Sequence, residues 1–91
     1  MQYIKVRWIH SHRDEPVLLY SELDDDRWEM RKVEIFADGH CSYASATESV
    51  GSTELGLEPI PPMASIARDP QFEPFEITKQ EFESVWAKCA R

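Results

Sequence analysis

The sequence predicts an α+β fold, and three observations carry the prediction. Apolar and charged residues alternate with a period of two from Tyr3 to Phe36, which is typical of half-buried antiparallel strands. An Asp-Gly pair then marks a tight hairpin, and the last fourteen residues repeat apolar side chains with the spacing of an amphipathic helix. We expect a four-stranded antiparallel meander with a short helix and a C-terminal helix packed on one sheet face.

The first strand is predicted over residues 3–9, with Ile4, Val6 and Trp8 turned toward the core. A polar stretch follows, and Pro16 then opens a second strand over 17–23, because proline lacks the amide donor but fits the first position of a strand.

Three consecutive aspartates, Asp24 to Asp26, favour a turn, since their side chains compete with strand pairing for backbone hydrogen bonds. They lead into a third strand over 27–36. Trp28 and Val33 fall on opposite faces of an ideal strand, so we expect either a bulge near residues 31–32 or a strand buried on both sides.

The stretch Ala37-Asp38-Gly39-His40 predicts a hairpin into a fourth strand over 41–46, because Asp-Gly readily adopts the positive φ angles of a tight turn. The next segment, 47–58, is rich in Ser, Thr, Glu and Gly. It is predicted to be a loop and the most mobile part of the chain.

Prolines 59, 61 and 62 stiffen the backbone before a short helix over 63–68, which Pro70 would end. An extended link over 71–76 leads to the C-terminal helix over 79–90. Thr78 and Glu81 form a capping-box pattern at its start. An apolar stripe at helical spacing then follows, made of Phe82, Val85, Trp86 and Cys89.

Length and charge bound the function. The chain has 91 residues, so we expect residues 1–91 to form a single domain. The core of a domain of this size is too small to enclose a large internal ligand. The chain has 10 Lys and Arg against 17 Asp and Glu, a net charge of −7, and most of the acidic excess lies in residues 33–91. This balance argues against nucleic-acid and anionic-membrane binding and favours a basic partner, although a merely solvated surface would look the same.

Two cysteines, Cys41 and Cys89, lack the Cys-x-x-Cys spacing, and no apolar leader is evident. We therefore expect no disulfide, a cytoplasmic location and cysteines that pack as small apolar side chains. No stretch is long and apolar enough for a membrane span.

Few residues suggest chemistry. His10 and His12 could bind a transition metal, but His-x-His alone is a weak signal. His40 and Cys41 are neighbours on a strand and so point apart, which makes them poor catalytic partners. The acids from Glu22 to Glu29 lack the glycine and glutamate positions of a calcium loop. Phosphate-binding loops and nucleophile elbows are absent from the sequence too, so we expect neither an enzyme nor a cofactor.

The three tryptophans allow two interpretations. Trp8, Trp28 and Trp86 lie on two strands and a helix, which favours a core cluster between the sheet and the helix. Alternatively Trp28, flanked by Arg27 and Arg31, is exposed as an interface anchor, because Trp and Arg dominate binding hot spots.

The segments YIKVRWIH, LYSELDDDRWEMRKVEIF, LGLEPIP and FEITKQEFESVWAKC, with their spacing, resemble a family of short uncharacterised bacterial proteins found mainly in actinobacteria. The resemblance covers nearly the whole chain and supports its fold, and it implies no activity, cofactor or site residue. In size, acidity and lack of a catalytic motif, the chain also resembles immunity proteins, which neutralise bacterial toxins by covering their active sites.

The sequence thus predicts a non-enzymatic binding protein that binds a basic protein, and the resemblance to immunity proteins implies an inhibitor of that type. The loop acids Glu48, Glu54 and Glu58 could extend the surface. The alternative is a module that self-associates through an edge strand as a homodimer. The third hypothesis is an enzyme that combines His10 and His12 with the aspartate turn. The predicted partner-binding residues are Glu22, Asp24, Asp25, Asp26, Arg27, Trp28, Glu29 and Arg31.

Overall fold

The computed structural model describes residues 1–90 and shows an α+β architecture, with a six-stranded antiparallel sheet and two helices. None of the helices in this range is long and apolar enough to cross a membrane. In chain order the elements are β1 (Gln2–Trp8), β2 (Leu18–Leu23), β3 (Glu29–Ile35), β4 (Cys41–Ser45), β5 (Ser49–Val50), α1 (Met63–Ile66), β6 (Phe72–Glu76) and α2 (Lys79–Cys89).

The strand order is β5-β4-β3-β2-β1-β6, so the predicted meander forms the centre of the sheet. The prediction of four strands missed the two outer ones. Strand β5 lies in the segment predicted to be a loop, and β6 lies in the predicted extended link, where it pairs with β1 from Ile4↔Glu76 to Trp8↔Phe72. Strand β6 was not predicted because it contains Pro74, and proline is tolerated only where a strand needs no amide donor.

The β3–β4 hairpin has the predicted turn. Gly39 adopts φ 93°, a left-handed conformation that glycine accepts without a steric penalty. The backbone N–H of Phe36 donates to the His40 carbonyl at 2.9 Å and closes the turn.

A bulge on β3 explains the inconsistent phase of that strand. Glu22 pairs with Arg31, whereas the next residue, Leu23, pairs with Glu29, so Met30 is the extra residue. The bulge lies just before the predicted position at 31–32. As a result Glu29 and Arg31 face opposite sides of the sheet.

Helix α2 covers one sheet face, where its fully buried Phe82 packs against Tyr20 and Val33. The helix begins as the capping pattern predicts, because the Glu81 N–H donates to Thr78 Oγ1 at 3.1 Å.

The opposite face carries the side chains predicted to be core, but α2 does not cover them. Ile4, Val6 and Leu23 are buried there beneath the segment that contains α1. Helix α1 is a single turn that ends at Ile66, two residues before the predicted end. The sheet is therefore covered on both faces. The alternation of apolar and polar residues was interpreted as one buried face and did not predict the second.

The predicted tryptophan cluster is wrong. Trp8 stacks on Phe72 with ring centroids 5.9 Å apart, while Trp86 contacts Tyr43 on the other side of the sheet at 5.2 Å. The side chain of Trp28 belongs to neither group and is 42% exposed. The exposure of Trp28 in the alternative interpretation is confirmed, and its role as an interface anchor stays a prediction.

The prediction that the cysteines are unbridged is also wrong. Cys41 and Cys89 form a disulfide, with Cα atoms 6.0 Å apart, that ties the last turn of α2 to the start of β4. The two residues lie 48 positions apart, and the packing of α2 on the sheet brings them together.

Candidate partner-binding surface

The aspartate turn between β2 and β3 is organised by its first member. Asp24 Oδ1 accepts hydrogen bonds from the backbone N–H groups of Asp26 and Trp28, both at 2.9 Å. The carbonyl of Asp24 also accepts from the Arg27 N–H at 2.9 Å. Asp24 is therefore a turn-forming residue, as the local competition of aspartate for backbone donors predicts.

Arg27 holds this turn against the segment that follows β5. Its φ of 67° is left-handed, a conformation that costs a bulky residue about 1–3 kcal/mol and tends to occur at functional sites. Three hydrogen bonds of the guanidinium offset the cost, to the carbonyl oxygens of Ile60 and Pro61 at 2.9 and 2.7 Å and to Gln2 Oε1 at 2.6 Å. The Ile60 N–H in turn donates to the Arg27 carbonyl at 2.8 Å.

These bonds bring exposed apolar and acidic side chains to one end of the sheet. Besides Trp28, the exposed fractions are 64% for Met1 and 91% for Leu57. Leu57 lies on the segment held between Gly56, which donates to Glu29, and Ile60. We call this surface the acidic end and define it by Met1, Asp25, Asp26, Trp28, Leu57 and Glu58, all of which are exposed.

Glu22 and Arg31 lie elsewhere, beneath α2, and are not part of an exposed surface. Arg31 donates to both carboxylate oxygens of Glu22 and to Glu83 Oε1, all at 2.8 Å, and Tyr3 adds a 3.0 Å hydrogen bond to Glu22. The guanidinium also lies 4.9 Å from the ring centroid of Phe82. The group thus joins the sheet to the helix.

The electrostatics of this cluster follow from that geometry. The hydrogen bonds from Arg31 hold the pKa of Glu22 below its ordinary value, although partial burial opposes the shift. Glu22 likewise raises the pKa of Arg31. Burial, and then the hydrogen bond to Glu22, raise the pKa of the Tyr3 hydroxyl.

Glu29 is the third predicted surface residue that lies away from the exposed surface, and like Glu22 it is buried. It faces the side of the sheet opposite α2, where it accepts from Ser21 Oγ at 2.9 Å and from the Gly56 N–H at 2.7 Å. Its polar character suggested exposure, but these donors compensate the buried carboxylate. The predicted set of eight therefore divides among three places, and only Asp24, Asp25, Asp26, Arg27 and Trp28 belong to the turn.

The residues proposed for an enzyme do not converge. His10 lies beyond the end of β1, whereas the aspartate turn follows the end of β2, which is the opposite end of the sheet. Both ring nitrogens of His10 meet backbone groups, the Pro16 carbonyl at 2.8 Å and the His12 N–H at 2.9 Å. Over residues 1–90, no group of three or more His, Cys, Asp or Glu side chains is placed to hold a metal ion.

Met1 and Leu57 belong to this surface although the sequence did not predict them there. Their placement depends on the bonds of Arg27, which join positions far apart in the chain and leave no periodic pattern. Leu57 lies in the segment 47–58, which also contains Val50 and Leu55, so an apolar residue there was a weak signal.

Comparison with known proteins identifies a family but no function. A family model described as a domain of unknown function (DUF6881) matches residues 2–91. No curated protein and no solved structure matches the chain.

Proposed function

We propose that this chain, which belongs to the DUF6881 family of unknown function, is a non-enzymatic protein-binding module that captures a basic partner on the acidic end. The observation that carries the proposal is that exposed Trp28 and Leu57 lie at the same end of the sheet as exposed Asp25, Asp26 and Glu58. Large apolar side chains supply residence time in a complex, and surrounding charges raise the association rate.

The rigidity of the turn supports this proposal. Asp24 and Arg27 fix the backbone on which Asp25, Asp26 and Trp28 stand, so little ordering entropy would be lost on binding. The net charge of −7 gives the whole molecule the sign that attracts a cationic protein and repels nucleic acid.

The finer proposal is an immunity-type inhibitor that covers the active site of a basic bacterial toxin or other enzyme. An exposed tryptophan and an exposed leucine, at an end of the sheet that also carries carboxylates, suit a cleft lined with Lys or Arg. The sequence predicts a cytoplasmic location, but the Cys41–Cys89 disulfide argues against a reducing compartment.

Self-association through an edge strand, the alternative, has weaker support. At one edge β5 has two residues, and at the other β6 carries Pro74 between exposed Glu73 and Glu76. Short length, proline and charge are the features with which sheet proteins discourage edge pairing.

The proposal is tested by capture from the native cell extract at low salt with three tagged baits. The first is the wild-type chain, and the second carries Asp25→Lys and Asp26→Lys. The third carries Asp14→Lys and Glu15→Lys, which make the same charge change at exposed positions at the opposite end of the sheet.

We expect quantitative mass spectrometry to show a basic protein enriched by the wild-type and control baits, released by salt, and lost with the Asp25→Lys and Asp26→Lys bait. Equal loss with both variants would indicate attraction by net charge alone and would contradict a local surface. Equal retention by all three baits would remove the acidic end from the interface.

A further inference from the structure

An apolar groove lies on the sheet face opposite α2, between the strands and the segment that contains α1. Its volume is about 390 Å³, within the range of about 300–1,000 Å³ that small-molecule sites occupy. Ile4, Val6 and Leu19 belong to its floor on β1 and β2, while Ile66 and Phe72 line its far side. A groove of this kind can take a short hydrocarbon chain.

The floor of the groove is polar at one end, and Ser65 and Asp69 add polar groups at its exposed rim. Register pairs Lys32 on β3 with Ser21 on β2, and Ser21 with Ile4 on β1, so the floor passes from an ammonium through a hydroxyl to an aliphatic side chain. Lys32 is the one cationic residue that lines the groove within residues 1–90, and its side chain is only 18% exposed. The lining thus has the polarity of an amphipathic molecule.

Two carboxylates also line the groove, and neither takes the hydrogen-bonding capacity of Lys32. Glu29 Oε1 forms an ion pair with Lys32, but at 3.6 Å from Nζ it lies beyond hydrogen-bond range, and the two oxygens of Glu29 already accept from Gly56 and Ser21. Asp69 is exposed at the rim and accepts from the Gln71 N–H at 2.9 Å. The N–H donors of Lys32 therefore remain available to an acceptor on a ligand.

We propose that this groove binds a small amphipathic monocarboxylate, such as a medium-chain fatty acid, with its carboxylate on Lys32 and its hydrocarbon chain along Ile4, Val6 and Phe72. A carboxylate forms a charge-assisted hydrogen bond with an ammonium, and the mostly desolvated position of Lys32 strengthens it. The hydrocarbon chain gains from leaving water in proportion to its buried area. This proposal does not rest on the acidic end or on its partner.

The test titrates the isotope-labelled protein with sodium octanoate, octanol and octylammonium chloride while its backbone amide NMR spectrum is followed. We expect saturable shifts at groove residues with octanoate, and an affinity at least about tenfold higher than that for octylammonium, because only octanoate can pair with Lys32. The absence of saturable octanoate shifts, or a preference for octylammonium, would overturn the proposal.

Two pairs of variants locate the site. Ser65→Trp puts a large ring at the exposed rim and should weaken octanoate binding at least about tenfold, whereas Ala64→Trp, an exposed neighbour in the same helix outside the lining, should leave it unchanged. Lys32→Met should abolish the preference for octanoate over octanol, while Lys88→Met, on the far side of the sheet, should keep it.

The spectra also report folding, so a variant that unfolds is recognised directly. If Lys32→Met fails to fold, the Ser65→Trp and Ala64→Trp pair still decides the location of the site. Wild-type affinity in Ser65→Trp, or an unchanged octanoate preference in a folded Lys32→Met, would contradict it.

Discussion

Arg27 and Arg31 flank the same strand start and act on different parts of the molecule. Arg27 uses its guanidinium to hold the 60–61 backbone against the aspartate turn. Arg31 instead lies beneath α2 and pairs with Glu22 and Glu83. Arg27 therefore supports the candidate surface, whereas Arg31 supports the fold.

The pairing of Glu22 predicts how stability depends on pH. Arg31 lowers the pKa of Glu22 in the folded state below the ordinary value of 4.5. The paired carboxylate therefore stabilises the fold fully above about pH 4.5, and this contribution is lost as the pH falls through the lower folded-state pKa. Urea unfolding at a series of pH values should show the free energy of unfolding falling in that acidic window.

Glu22→Gln should lower the free energy of unfolding at pH 7 by about 1–3 kcal/mol, because it leaves the half-buried Arg31 with an incomplete partner, and should flatten the acidic dependence. Glu73→Gln, which breaks the exposed ion pair with Arg7, is the matched control and should cost about 0–1 kcal/mol. Equal costs for the two variants would show that the Glu22 cluster contributes no more than a surface pair.

Residue polarity predicted the turn correctly and misplaced its neighbours. Asp24 to Asp26 follow local rules, since their hydrogen bonds lie within the turn. Glu22 and Glu29 were predicted to be exposed because charged side chains usually are, yet each is buried with donors from distant positions. No local sequence pattern predicts such distant donors. The bulge at Met30 also places Glu29 and Arg31 on opposite faces of the sheet.

At the scale of secondary-structure elements, α2 depends on one buried ring. Phe82 is fully buried, whereas Trp86 is half-buried beside Tyr43. Phe82→Ala should therefore lower the free energy of unfolding by about 3–5 kcal/mol, and Trp86→Ala by less. Urea denaturation checks both, with exposed Ser84→Ala on the same helix as the control. A smaller loss for Phe82→Ala than for Trp86→Ala would contradict the described packing of α2.

The disulfide gives a second prediction at this scale. It closes a loop between Cys41 and Cys89, which restricts the unfolded chain and should stabilise the fold by about 2–4 kcal/mol. Replacing both cysteines by serine should remove this stabilisation in urea denaturation. Dithiothreitol should destabilise the wild-type protein to a similar extent and leave the double variant unchanged. A wild-type stability that does not respond to reductant would show that the bond is not formed.

Elements that depend on local sequence were predicted better than those that depend on distant pairing. Thr78 and Glu81 determine the start of α2, and Asp38 and Gly39 determine the β3–β4 turn. Strands β5 and β6 form by pairing with the edges of β4 and β1, so their formation depends on the rest of the sheet. The disulfide has the same origin, since its two cysteines meet only once α2 crosses the sheet.

For the whole molecule, the α2 interface and the Glu22 cluster lie apart from the proposed binding surfaces. Helix α2 and the Glu22 cluster lie on one face, the apolar groove lies on the other, and the acidic end lies where β2 passes into β3. A change at Asp25 or Asp26 therefore alters the electrostatic field around the acidic end with little effect on folding, because exposed turn charges contribute little to stability.

The measurement that tests the central claim most directly is the association rate with the captured basic protein, followed by stopped-flow fluorescence over a range of salt concentrations. Wild type and the Asp14→Lys, Glu15→Lys control should associate rapidly at low salt and more slowly as salt rises. The Asp25→Lys, Asp26→Lys variant should associate slowly with a weak salt dependence. A variant that associates as fast as wild type, with the same salt dependence, would contradict binding at the acidic end.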